Sequence, residues 1–254
     1  MKKRKRKTIY LLPNLLTSAS LFCGFYAMVA AVDKRFVHGA IAIFVSAIFD
    51  ALDGRVARMT GSTSRFGVEY DSLSDVIAFG VAPGLLVYMW ALKGYGRFGW
   101  LAAFLYVACG ALRLARFNIQ AETVQKNYFL GLPIPAAASC IAASVLFSAK
   151  LGYSAEIRQI AMPIMVYALA FLMVSDIRYF SLKDLTFLKS KPFKSSVAAV
   201  LLFVIVLIEP SITLFVATIG YMVSGPVYRL IKGKKALQDE PHPKEGPARQ
   251  DGRL

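Results

Sequence analysis

Between residues 50 and 75 the chain sets four aspartates at the ends of two long apolar runs. The stretch reads Asp50-Ala51-Leu52-Asp53-Gly54-Arg55-Val56-Ala57-Arg58, then a short polar turn, then Gly67-Val68-Glu69-Tyr70-Asp71-Ser72-Leu73-Ser74-Asp75. A charged carboxylate at membrane depth costs about 2.5–3.5 kcal/mol on insertion scales, so it needs a partner or a water-filled cavity. Asp50 and Asp53 share one helix face, and Asp71 and Asp75 share another. A turn of a few residues makes the two helices antiparallel neighbours, so both acidic faces can converge. Hard carboxylate oxygens there suit Mg²⁺ or Mn²⁺. Aspartates near helix ends are ordinarily caps or solvated groups. Four at these spacings, with Gly54 and Gly67 beside them and Arg58 one turn on, favour a functional cluster instead.

Composition then fixes the class. Of 254 residues 57% are hydrophobic, and the mean hydropathy is +0.54, values of a multi-span membrane protein. The net charge of +15 sits between apolar runs and at the termini, as in cytoplasmic loops beside anionic headgroups. Nucleic acid is therefore not an expected partner. Cys23, Cys109 and Cys140 lie within apolar runs and read as small buried hydrophobes.

Eight apolar runs predict eight transmembrane helices in an all-α integral membrane protein. Residues 1–8 form a basic cytoplasmic N-terminus. Residues 9–180 form a six-helix catalytic core, with Pro83-Gly84 kinking the third span. A basic cytoplasmic loop covers 181–195. Two more helices occupy 196–231, joined by Glu209-Pro210, and 232–254 read as a disordered cytoplasmic tail. The alternate loops carrying Arg58, Arg65, Arg113, Arg116 and the later bases place both termini and the aspartates on the cytoplasmic side.

The pattern Asp50-x-x-Asp53-Gly54-x-x-Ala57-Arg58, then Gly67-x-x-x-Asp71-x-x-x-Asp75, resembles the signature of the CDP-alcohol phosphotransferase family, with every position filled. Pro13-Asn14-x-x-Thr17 resembles that family's first-helix motif. The run from Asn14 to Phe25, Arg113 to Asn118, and Gly131-Leu132-Pro133-Ile134-Pro135 resemble its phosphatidylserine synthase branch. The bland readings beside these are helix starts, and a basic anchor at a helix end.

The resemblance implies transfer of a phosphatidyl group from CDP-diacylglycerol to the hydroxyl of L-serine, giving phosphatidylserine and CMP. It implies Asp50, Asp53, Asp71 and Asp75 as ligands of Mg²⁺ or Mn²⁺, two ions in all, with Asp75 as general base. Asn14, Thr17, Asp50, Gly54, Ala57, Arg58, Ser64 and Gly67 would face the CDP-lipid. Arg113, Arg116 and Asn118 would face the acceptor, since a guanidinium fork suits a carboxylate or phosphate. A homodimer in the cytoplasmic membrane, among its lipids, is the expected setting. The physics of the residues leaves other acceptors open, glycerol phosphate or inositol phosphate. It also leaves a cation or proton transporter, disfavoured because the carboxylates are confined to one region near one membrane face.

Overall fold

The computed structural model describes residues 2–62, 64–121, 128–152, 155–180 and 208–238. Seven of its helices are long and apolar enough to cross a bilayer. They are α1 (Lys2–Val32), α2 (Phe36–Thr60), α3 (Arg65–Tyr95), α4 (Arg97–Ala121), α5 (Ile134–Leu151), α6 (Ala155–Val174) and α7 (Pro210–Gln238). The chain is an integral membrane protein of helical class. The expected run 196–208 lies almost wholly outside the described residues, as do the loop 181–195 and the tail beyond 238. The chain enters and leaves that stretch at opposite ends of α5. Leu130 pairs with Arg178 just before α5 begins, and Lys150 meets Glu209 at 3.3 Å where it ends. Helix α7 continues to Gln238, past the point where composition turns polar.

Small residues let the helices touch. Apolar burial gives little drive inside lipid, so close backbone packing and hydrogen bonds take over. Ser20 on α1 and Ser46 on α2 bond each other's hydroxyls at 2.8 Å. Ala27, Ala31, Ala40 and Ala42 are buried nearby. At Gly24 a Cβ would come within 2.7 Å of Ala78 Cα, so α1 meets α3 backbone to backbone.

Helix α3 is one rod of several pitches. Residues Val76–Val81 and Tyr88–Leu92 are π-helical, on either side of Pro83-Gly84. A proline leaves the carbonyl four residues back without its helical donor. Deep in lipid water cannot replace that donor, whereas at the membrane surface it can. Three prolines inside the bundle meet this problem in one way. Behind Pro83, the Phe79 carbonyl accepts from the Tyr106 hydroxyl at 3.0 Å. Behind Pro163, the Gln159 carbonyl accepts from Tyr95 at 2.8 Å. Behind Pro226, the Met222 carbonyl accepts from Tyr179 at 3.0 Å.

A short antiparallel pair, β1 (Tyr128–Leu130) and β2 (Arg178–Phe180), joins the ends of α4 and α6. The all-α expectation did not include it. Gly131 leaves β1 with φ +77°, and a Cβ there would come within 2.2 Å of the Met173 carbonyl. Only glycine fits that turn. The Leu132 N–H then donates to the Leu172 carbonyl at 2.9 Å. So the segment read as a helix start also fastens α5 to the end of α6.

Candidate active site

Helix α2 ends in a left-handed cap at Gly61, φ +59°, and the Ser62 N–H returns to the Ala57 carbonyl at 3.0 Å. Ser64 then caps α3, its hydroxyl oxygen accepting from the Gly67 N–H at 3.0 Å. This tight reversal sets the two acidic faces against each other. Carboxylate oxygens of Asp50, Asp53 and Asp71 lie within 4.8 Å of one another. Asp75 reaches the same place, and its carboxyl hydrogen-bonds that of Asp50. Two carboxyls in contact need a shared proton or a cation between them.

None of these four residues forms a salt bridge among the described residues. Asp53 is 4% exposed. It accepts from the Thr17 hydroxyl at 2.6 Å and feels the Arg58 charge. Four acids with so little positive charge beside them fit a divalent cation, and their oxygens are its preferred ligands.

A cleft opens beside the cluster, walled by Asn14 and Thr17 of α1, Asp53, Gly54, Ala57 and Arg58 of α2, and Ser62, Ser64, Gly67 and Asp71 beyond the turn. Every residue expected to face the CDP-lipid lines it, apart from Asp50 in the adjoining cluster. At Gly67 a Cβ would stand 3.1 Å from Ser64 Oγ and 3.3 Å from Asn14 Oδ1, closing that corner. At Gly54 a Cβ would only touch the Arg58 guanidinium, at 3.4 Å. The fold therefore tolerates a side chain at Gly54, and the open cleft beside it is what glycine preserves.

Sequence reasoning missed two residues here. Ser62 is buried in the cleft wall and bonds Thr60 Oγ1 at 2.6 Å. Tyr70 meets the Ser18 hydroxyl at 2.9 Å, tying α3 to α1. Ser62 is one small polar residue among several in its turn, with no spacing to single it out. Tyr70 stands next to Asp71, which was the available signal.

The three acceptor candidates separate. Arg113 is 6% exposed, its guanidinium 5.5 Å over the Phe117 ring, and its Nε has no hydrogen-bond partner among the described residues. It interacts by charge with Asp75. Arg116, one turn on, reaches the Val174 carbonyl at 3.3 Å and pairs with Asp176 at the surface. Asn118 donates to Ser72 Oγ at 2.9 Å, holding the end of α4 to α3 beside Asp71. The shared face expected for Arg113 and Arg116 splits because α4 emerges from the bundle between them.

A family model described as CDP-alcohol phosphatidyltransferase matches residues 10–174. This chain belongs to the CDP-alcohol phosphatidyltransferase family. The matched segment contains the whole cleft, the four aspartates and the three acceptor candidates; β2 and α7 lie beyond it. A CDP-diacylglycerol–serine O-phosphatidyltransferase of Helicobacter pylori is 44% identical over 171 residues, covering 67% of this chain and 72% of that one. An archaetidylserine synthase of Methanothermobacter thermautotrophicus is 36% identical over 181 residues, covering 70% and 73%. A CDP-diacylglycerol–serine O-phosphatidyltransferase of Methanocaldococcus jannaschii is 41% identical over 138 residues, covering 54% and 61%. The CDP-alcohol phosphatidyltransferases depend on divalent metal, and the aspartate triad supplies a fitting set of ligands.

Proposed function

We propose that this chain transfers the phosphatidyl group of CDP-diacylglycerol to the hydroxyl of L-serine, forming phosphatidylserine and releasing CMP. The aspartate cluster opening onto the cleft carries the reading, and the printed names of the relatives support serine as acceptor. Asp50, Asp53 and Asp71, with Asp75 contributing, would hold two Mg²⁺ or Mn²⁺ ions. Such ions supply charge neutralisation on the phosphate oxygens and the leaving CMP.

The rest falls to the chain. Arg58 and Ser64 hold the pyrophosphate, and Asn14, Thr17, Ala57, Gly54 and Gly67 shape the nucleotide's side of the cleft. Asp75 takes the proton of the serine hydroxyl. The hydroxyl oxygen bonds to the phosphorus that carries diacylglycerol, and the bond from that phosphorus to CMP breaks. Arg113 grips the serine carboxylate with its fork. Arg116 backs it at the rim, and Asn118 keeps α4 against α3.

The reading places both termini and the site on the cytoplasmic face of the membrane, by the distribution of lysine and arginine among the loops. It treats residues 9–180 as the catalytic unit and the working form as a homodimer, which crosslinking in native membranes would check.

The deciding experiment uses purified protein, CDP-diacylglycerol, Mg²⁺ or Mn²⁺, and labelled L-serine, glycerol phosphate and inositol phosphate in turn. CMP release with label entering lipid only from serine is the expected result. Lipid labelled from another alcohol and not from serine overturns the acceptor. No CMP with any acceptor overturns the chemistry.

A further inference from the structure

The seam between α1 and α3 does not close where the cleft ends. Thr17 and Asp71 line the cleft, and their neighbours Ser18 and Tyr70 open a second groove between the same two helices. Phe22, Phe25 and Met28 of α1 and Ile77 and Val81 of α3 line its length, around a volume of about 650 Å³. These residues are apolar, and Phe22 and Phe25 are exposed, so the groove opens sideways to lipid. From Ser18 to Met28 the helix rises about 15 Å. That is half of a hydrocarbon core about 30 Å thick, the depth that one chain fills in its own leaflet. Only the groove's mouth is polar. Tyr70 Oη and Ser18 Oγ lie 2.9 Å apart, and Ser18 Oγ donates to the Asn14 carbonyl at 2.8 Å. Ser18 has a single hydroxyl proton, so Tyr70 supplies the proton between the two hydroxyls. The Tyr70 ring is held by stacking on Phe66, with centroids 5.9 Å apart and planes inclined at 14°.

We propose that the Tyr70 hydroxyl donates to an ester carbonyl of the CDP-lipid whose chain lies in this groove, so that the enzyme prefers acyl to alkyl lipids. The proposal rests on the reading of the cleft as the CDP-lipid site. Polar cleft, hydroxyl pair and apolar groove then follow one another in the order in which the lipid carries pyrophosphate, ester and chain. Hydroxyls rotate to suit their partners. When the ester arrives, the Tyr70 O–H turns from Ser18 to its carbonyl, and the Ser18 O–H turns from Asn14 to Tyr70 Oη. The Asn14 carbonyl lies inside α1 and keeps its helical bond. The exchange therefore strands no polar group in lipid. An alkyl lipid lacks the carbonyl and leaves the two hydroxyls as they stand.

The test follows CMP release and compares KM for CDP-diacylglycerol with KM for CDP-dialkylglycerol of the same chain length. It uses full-length wild-type protein, Tyr70→Phe and Val81→Trp. Tyr70→Phe keeps the ring that stacks on Phe66 and removes only the hydroxyl. Wild type should show a diacyl KM about threefold to tenfold below the dialkyl KM, the effect of one hydrogen bond. Tyr70→Phe should raise the diacyl KM to the dialkyl value, leave the dialkyl KM within about twofold, and leave the serine KM unchanged. Equal constants for the two lipids in wild type overturn the role of Tyr70 and leave the proposed reaction standing. A Tyr70→Phe protein that raises both constants alike makes Tyr70 a strut between helices and overturns that role equally. Val81→Trp fills the far end of the groove, so it should raise KM for long-chain CDP-diacylglycerol and spare a short-chain form. Equal effects on long and short chains overturn the chain's place in the groove. CMP release from neither lipid in wild type overturns the proposed reaction and this inference with it.

Discussion

The Thr17 hydroxyl stands 2.6 Å from Asp53 Oδ2 and 3.1 Å from the Pro13 carbonyl. Its single proton goes to the shorter, charged contact, which is the stronger of the two. Thr17 therefore fixes which way the most buried aspartate of the cluster faces, and it does so from a helix that holds no acid of the cluster.

Replacing Thr17 should show first in the metal requirement. Groups that orient a ligand typically account for about 10–100-fold in metal affinity when removed. Thr17→Val should raise the Mn²⁺ concentration for half-maximal CMP release by roughly that factor, whereas Thr17→Ser should stay near wild type. Chelator should abolish release in every variant, and added metal should restore it. Full activity in chelator contradicts the metal assignment; an unchanged metal curve in Thr17→Val contradicts the role of Thr17.

Asp75 and Asp50 touch, yet their asparagine variants should fail differently. Asp75→Asn keeps size and loses proton acceptance, a change that ordinarily lowers rate about 10²–10⁴-fold. CDP-lipid binding should survive it, because three carboxylates still form the cluster. Asp50→Asn should weaken metal-dependent CDP-lipid binding together with turnover. Lipid binding and turnover measured on each purified variant decide the matter. Near wild-type turnover in Asp75→Asn refutes the general base.

The proline-facing tyrosines predict a graded loss of stability. Tyr106 is fully buried, so Tyr106→Phe leaves the Phe79 carbonyl with no water to turn to. The expected cost is about 1–3 kcal/mol. Tyr95 is 41% exposed, and water can replace its hydroxyl at Gln159, so Tyr95→Phe should cost less. Thermal unfolding in one detergent ranks the two; equal midpoints would show that the buried bond contributes nothing of its own.

Asp176 gives the pH prediction outside the membrane. The Arg116 hydrogen bond, and then its charge, hold the Asp176 carboxyl below its ordinary range. A depressed folded value means the contribution is present above the unfolded value, about 4, and fades as pH falls through the folded one. The pair is solvent-exposed, so the effect is small and salt-sensitive. Unfolding curves of wild type and Asp176→Asn should differ at neutral pH and converge in acid. A difference that persists below that window would mean Asp176 acts by some means other than its charge.

The aspartate cluster was legible because its chemistry is local. Two spacings and one short turn place Asp50, Asp53 and Asp71 together with no knowledge of the remaining helices. The cleft followed for the same reason, since Ser64 and Gly67 belong to that turn. The fates of Arg113 and Arg116 were not legible. Spacing says that two residues share a helix face, but not where along the helix the bundle ends. The β1–β2 pair was hidden by its length, as three residues are too few to show alternation.

A proline in a membrane helix works as a hinge while its freed carbonyl is unclaimed. Here Tyr106, Tyr95 and Tyr179 each claim one, and each does so from a different element. Three potential joints are thereby latched, and every latch is also a strut between neighbouring parts. The proline turns of α3, α6 and α7 are thus held in the protein's resting shape.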